Sequence, residues 1–197
     1  MSDNTYNVYI VGLGGQGVLT IGELLTQAAL AKDLAVNFYP TKGMSQRGGF
    51  VQGQLRIGTA GMGASLPPRG ADLVVAMERS EALKGVRYAR SGGDFLLYDD
   101  VWGTTAVLTG KTSYPSLEQV QAKIEQSGAR LHLLKSSDLP LYQGRPVFAN
   151  MFILGALIKR TNMRDYFSLA DINAAMMAFW PKGAQANLAA LTSGYEA

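Results

Sequence analysis

Asn7-Val-Tyr-Ile-Val-Gly-Leu-Gly-Gly-Gln-Gly-Val18 is the stretch that decides the fold. A short apolar run with β-branched residues, Asn7 to Val11, stops at glycines, and a helical pattern follows with Leu24, Leu25, Ala28, Ala29 and Leu30 on its apolar side. A run of this length bounded by glycine reads as a buried strand. Gly12, Gly14 and Gly17 fit G-x-G-x-x-G in the strand–turn–helix setting that this motif requires. The first glycine permits the tight turn, the second lets a ligand or another chain approach the backbone, and the third lets helix and strand pack closely. The N–H groups at the start of the helix favour an anion.

Outward from this stretch the chain alternates strand and helix. Residues 34–39, 50–57, 72–77, 94–98 and 130–135 read as further strands, with a helix expected over about 80–90. The clearest helix spans about 116–127. Ser116 and Gln119 fit a capping box, Leu117, Val120 and Ile124 share a face, and Gly128 supplies a stop. The last residues, from about 150 to 197, read as helical. Met151-Phe-Ile-Leu-Gly-Ala-Leu-Ile158 is apolar all round, which marks a buried helix. Ser168 with Asp171 suggests a second cap, Leu169, Ile172, Met176 and Phe179 share a face, and Pro181 ends that helix. The pattern predicts one domain over 1–197: a Rossmann-like, doubly wound α/β fold with a mostly parallel sheet and a helical C-terminal part.

Composition narrows the chemistry. The 197 residues are 47% hydrophobic and 17% charged, which excludes a disordered chain. There is no cysteine, so disulfides, a cysteine-held iron–sulfur cluster and a thiol nucleophile are excluded. The single histidine, His132, excludes a multi-histidine metal centre. The net charge of +3 is small and forms no Lys/Arg stripe, so nucleic acid is not expected as a partner. No apolar run approaches the roughly 18 residues of a membrane span. The polar start Met1-Ser-Asp-Asn-Thr is unlike a signal peptide, and a cytoplasmic location is the expectation.

The first glycine loop does not by itself establish dinucleotide binding. Such sites carry Asp or Glu about 20 residues on, at the end of the second strand. Here that stretch is Asn37-Phe-Tyr-Pro-Thr41, and the nearest acid, Asp33, precedes the strand. Lys42 and Arg47 could take the extra phosphate of NADP, so a stand-alone NAD(P)-dependent oxidoreductase stays open. A glycine turn that only packs a helix on a sheet also stays open, as does a non-enzymatic module for another anionic ligand. The second loop, Gly43-Met-Ser-Gln-Arg-Gly-Gly49, is more specific. Arg47 offers a planar five-donor fork suited to carboxylate or phosphate. In an open α/β sheet this loop falls at the crevice beside the first. The alternative is an exposed arginine in a turn.

Other residues carry weaker signals. Glu78, ending the strand at 72–77, either meets a ligand or caps the next helix. His132 lies within a strand without an evident partner acid, which favours a structural role. Asp99-Asp100 reads as a turn in preference to a cation site, because neighbouring strand side chains point to opposite faces. Trp102 and Trp180 are candidate interface anchors.

Gly12-Leu-Gly-Gly-Gln-Gly-Val18, Gly43-Met-Ser-Gln-Arg-Gly-Gly49 and Arg56-Ile-Gly58 together resemble the gamma subunits of 2-oxoacid:acceptor (ferredoxin) oxidoreductases. Asp72-Leu-Val-Val-Ala-Met-Glu78, Asn150-Met-Phe-Ile-Leu-Gly155, Lys182 and Asn187 fit the same pattern, so the resemblance runs over roughly residues 6–193. The Met-Ser-Gln-Arg-Gly-Gly form is most similar to the indolepyruvate type, and the Pro-Glu-Ala-Arg-Gly-Gly form of 2-oxoglutarate enzymes is absent. The resemblance implies a complex that oxidatively decarboxylates a 2-oxoacid, favouring indolepyruvate or another arylpyruvate, to an acyl-coenzyme A while reducing ferredoxin. It implies thiamine diphosphate and iron–sulfur clusters on partner subunits: a catalytic chain and a ferredoxin-type subunit or domain. This chain would be an accessory subunit with no cofactor of its own and no catalytic residue, dimerising when isolated. Its expected contacts to coenzyme A are Gly12, Gly14, Gly15, Gln16, Gly17, Ser45, Gln46, Arg47, Gly48 and Gly49.

Overall fold

The computed structural model describes residues 5–42, 48–58, 63, 65–102, 107, 109–110, 113–182 and 184–197. Strand β1 is Tyr6–Leu13, β2 Val36–Lys42, β3 Phe50–Ile57, β4 Ala71–Ala76, β5 Ala89–Asp99 and β6 Arg130–Lys135. They form one six-stranded sheet in the order β2-β3-β1-β4-β5-β6. β1, β4, β5 and β6 pair in parallel, while β3 runs antiparallel to both β1 and β2. The sheet is thus mostly parallel, with one reversed strand inside it.

Period-two alternation assigns the two faces of β1. Val8 and Ile10 enter a core beneath α1 (Val18–Leu30), α4 (Ala149–Arg160), α5 (Leu169–Phe179) and α6 (Gln185–Glu196). Tyr9 and Val11 enter a second core beneath α2 (Arg79–Val86) and α3 (Leu117–Gln126). Helices therefore cover both faces, and β1 and β4 are buried almost throughout. A short hairpin, β7 (Leu141–Tyr142) and β8 (Arg145–Pro146), leads into α4. The sequence reading has no counterpart for it, because two-residue strands are too short to carry periodicity.

The expected caps are present. Ser116 and Gln119 bond reciprocally at the start of α3, and Ser168 and Asp171 do so at α5. The strand expected at 34–39 lies at Val36–Lys42, and the helix expected to 90 ends at Val86. β5 begins at Ala89, earlier than expected: Ala89 is buried and pairs with Ala71, but the exposed Arg90, Ser91 and Gly92 that follow carry no apolar run, and the ladder shifts register before Asp94.

His132 proves to have a partner acid. Its Nε2 lies 2.9 Å from Oδ1 of Asp94, which is 2% exposed. Arg130 Nε also bonds that carboxylate at 3.0 Å, and the Asn162 backbone N–H donates to its other oxygen at 3.0 Å. Asp94 thus pins the turn after α4 to the sheet. Burial pushes its pKa up, but the hydrogen bonds from His132, Asn162 and Arg130 outweigh burial and hold it below the ordinary 3.8. The sign follows directly. Stabilisation is complete at neutral pH, fades as pH approaches the unfolded value, and is lost as pH falls through the lower folded value. Asp94→Asn is expected to lower stability by about 3 kcal/mol at neutral pH. It should also flatten that acid limb in urea denaturation measured from pH 7 downward. An unchanged limb would mean that other carboxylates set the acid sensitivity.

Candidate functional site

Crevice chemistry begins where β1 ends. Leu13 is the last residue paired with β3, opposite Phe50, and the two glycine loops continue that antiparallel pairing beyond it. Gly14 N–H donates to the Gly49 carbonyl at 2.8 Å, and Gly48 N–H donates to the Gly14 carbonyl at 3.1 Å. The loops expected to share a crevice are joined backbone to backbone. Gly14 therefore spends its single backbone donor on the second loop and has no N–H left for an anionic ligand. Gly48 and Gly49 lie in this contact, whereas Ser45, Gln46 and Arg47 fall outside the described residues.

Gln16 is the brace of the first loop. Its Oε1 accepts from Leu13 N–H at 2.8 Å, and its Nε2 donates to the Met77 carbonyl at 2.8 Å. One side chain thus ties the end of β1 to the residue following β4. Gly12 is needed because a Cβ there would meet Gln16 Oε1 at 2.8 Å and Val18 Cγ2 at 2.9 Å. Gly17 has φ 83° and serves as the N-cap of α1, a left-handed conformation that glycine takes freely, and a Cβ there would overlap the Asn150 amide.

A cleft of about 150 Å³ opens here, lined by Gly15, Gln16, Met77, Tyr98, Asp100, Trp102, Phe148, Ala149 and Asn150. Two helices start at it, α1 after Gly17 and α4 after Phe148, and neither has a side-chain cap. Their first-turn N–H groups and dipoles favour negative charge. One carboxylate stands on the wall already: Asp100 accepts from Trp102 Nε1 at 2.5 Å and from Val101 N–H at 3.1 Å. This holds the indole beside exposed Gly15. Trp102 is 47% exposed, Val101 53% and Phe148 57%, so the rim is apolar. Burial pushes the pKa of Tyr98 up, with further raising from Asp100 and Asp138, so its phenol stays protonated at neutral pH.

Glu78 resolves as a cap. Its carboxylate is fully buried, accepts Glu81 N–H at 2.9 Å and Ser80 Oγ at 2.6 Å, and is also bonded by the Tyr114 hydroxyl. Burial, then the bond to Glu78, raises the pKa of Tyr114. Beside it Arg79 holds Asp99 through two bonds of 2.5 and 3.0 Å, so Asp99 and Asp100 have separate partners and do not form a joint cation site. Sequence reasoning reached Gly15, Gln16, Asp100, Trp102 and Asn150 individually. It missed Phe148 and Ala149, which carry no motif and reach the cleft only through the placement of α4.

Sheet order bears on the dinucleotide alternative. β3 separates β1 from β2, so the end of β2 lies two strands, roughly 9–10 Å, from the first glycine loop. The position from which an acid would hold a ribose is displaced, in addition to lacking the acid.

The family model for pyruvate ferredoxin/flavodoxin oxidoreductases matches residues 7–197. The chain is 33% identical over 153 residues to the indolepyruvate oxidoreductase subunit IorB of Pyrococcus horikoshii, covering 77% of this chain and 76% of that one. Among solved structures it is similar to pyruvate oxidoreductase subunit PORC of Thermotoga maritima, with TM-score 0.71, 20% identity, and coverage of 98% of this chain and 96% of that one. It is also similar to part of the 2-oxoglutarate:ferredoxin oxidoreductase of Magnetococcus marinus, solved with 2-oxoglutarate, coenzyme A and succinyl-CoA bound. That match has TM-score 0.62 and 18% identity, covering 98% of this chain and 30% of the longer one. On a family match running from the first strand to the last residue, the chain belongs to the pyruvate ferredoxin/flavodoxin oxidoreductase family.

Proposed function

We propose that the chain is the small accessory subunit of a 2-oxoacid:ferredoxin oxidoreductase, with indolepyruvate or another arylpyruvate as the favoured 2-oxoacid. The likeness to an indolepyruvate oxidoreductase subunit over three quarters of both chains supports this substrate class. The observation that carries the reading is the union of two backbone loops through Gly14, Gly48 and Gly49 beside a small cleft served by two uncapped helix starts. That arrangement suits contact with part of an anionic ligand and docking of another chain. A cleft of about 150 Å³ is well below the several hundred Å³ of a drug-sized ligand site, so it suits a small group and not a whole nucleotide.

Coenzyme A is the ligand proposed to touch this chain, through the first-loop residues Gly12 to Gly17 and the second-loop residues Ser45 to Gly49. Within the first loop, Gly15 and the start of α1 remain for that contact, since Gly14 is engaged with the second loop. The donor set does not fit an iron–sulfur cluster, because the chain has no cysteine. Thiamine diphosphate and the clusters are assigned to partner chains. The apolar rim of Val101, Trp102 and Phe148 is proposed to be covered in the assembly, and the isolated chain to pair with a second copy.

The purified chain is expected to be colourless and inert toward any 2-oxoacid with added thiamine diphosphate, coenzyme A and a dye acceptor. Anaerobic purification from the native cell should bring down a thiamine-diphosphate-binding companion. Turnover by the chain alone would overturn the assignment. In the assembled enzyme Arg47→Ala is expected to raise the KM for coenzyme A about tenfold, as for loss of a charged hydrogen bond. An unchanged KM and rate would remove Arg47 from the site.

A further inference from the structure

We propose that a basic cleft at the opposite end of the sheet docks a carboxylate-rich surface of a partner protein. The cleft has a volume of about 490 Å³ and is lined by Pro68, Arg69, Val86, Arg87, Lys123, Gln126 and Ser127. It sits before β4 and beyond the C-terminal ends of α2 and α3, so it opens at the strand N-termini, away from the glycine loops. This inference does not depend on the coenzyme A reading.

Charge is the first argument. Among the described residues the cations beside the cleft at this end of the sheet are paired, Arg90 with Asp72 and Arg130 with Asp94. Arg69, Arg87 and Lys123 have no carboxylate partner there, all three are exposed, and no acid lines the cleft.

Helix dipoles explain part of this but not all. Lys123 lies in the last turn of α3, and Arg87 follows the last residue of α2, where cations are favoured in any case. Arg69 lies on no helix. Its φ of 57° is left-handed, a conformation that disfavours a side chain with a Cβ and that glycine or asparagine would adopt more readily. The turn is nonetheless fixed, because Arg69 N–H donates to the Arg87 carbonyl at 3.0 Å. That bond puts the two arginines on adjoining backbone at the cleft.

A protein surface fits better than a small anion. The cations are long, exposed and spread around the cleft. The one buried polar side chain there, Ser127, donates its hydroxyl to the Ile124 carbonyl at 2.6 Å. No buried donor converges to grip a phosphate, whereas an acidic surface needs only complementary charge within a Debye length.

The test titrates the full chain with fluorescein-labelled octaglutamate by anisotropy at low and high salt, with pyrophosphate as the competing probe. Binding should weaken with salt. The variant combining Arg69→Gln, Arg87→Gln and Lys123→Gln should bind about tenfold more weakly, the sum of three exposed charge contacts. An equal-charge control combining Lys135→Gln, Arg145→Gln and Lys159→Gln should bind like the parent. If the triple variant fails to fold, Lys123→Glu alone gives the same readout. Absence of salt-sensitive binding, equal loss in both variants, or tighter binding of pyrophosphate than of octaglutamate at this cleft would each overturn the proposal.

Discussion

Gly155→Ala is expected to lower stability by about 3 kcal/mol or more, although alanine is the better helix former. By propensity alone the change should add roughly 1 kcal/mol. The structure reverses the sign. α4 and α6 cross with backbone against backbone: a Cβ at Gly155 would overlap the Leu191 carbonyl oxygen and stand 2.7 Å from the Tyr195 nitrogen. The contact is reciprocal, since a Cβ at Gly194 would overlap the Phe152 carbonyl. α4 cannot retreat, because Met151 through Ile158 are all buried. Overpacking against rigid backbone belongs among the larger single-residue effects. Urea midpoints for Gly155→Ala and Gly194→Ala should both fall well below the parent. Gly63→Ala, where nothing lies within 4 Å, should barely move it. Equal midpoints for Gly155→Ala and Gly63→Ala would show that the two helices do not meet in this way.

Gln16→Ala should lower turnover at subsaturating coenzyme A by tenfold or more in the assembled enzyme, with the subunit still folded. The amide joins the end of β1 to Met77, and its loss leaves a buried N–H and a buried carbonyl unpaired. Each orphan costs about 1–3 kcal/mol, and the loop relieves that cost by moving. Displacing a positioning element by about 1 Å is enough for a hundredfold loss of rate. Gln16→Glu is the informative companion. It retains an acceptor for Leu13 N–H but sets a carboxylate oxygen against the Met77 carbonyl, so it should recover only part of the loss. Wild-type kinetics for Gln16→Ala would mean that the first loop needs no brace, and would count against its place in the cleft proposed for coenzyme A.

Several elements were legible because local chemistry alone dictates them. Ser116 with Gln119, and Ser168 with Asp171, announce helix starts through bonds spanning three residues, and both boxes are present. The uniformly apolar segment Met151 to Ile158 could only be buried. Gly12 and Gly17 read as backbone requirements, and the Gln16 and Asn150 side chains now show what a Cβ there would strike. Other features depend on partners far along the chain. His132 looked partnerless until β5 and β6 paired in register and brought Asp94 beside it. The reversed direction of β3 could not be read from its own residues, since a strand buried on a mixed sheet carries the same apolar pattern either way.

Taken by itself, the sequence determined the α/β class, the two glycine loops, the helix caps and the exclusion of a cysteine-held redox centre. These rest on residue type and on spacings of a few positions, where turn geometry and capping bonds act. Tertiary structure decided that Gly14 is occupied by the second loop, that Phe148 and Asn150 close the cleft from α4, and that Arg69 and Arg87 share one cavity. Such facts join residues tens of positions apart. They follow from strand order and helix crossing, which are set by how the whole core packs and not by any local signal.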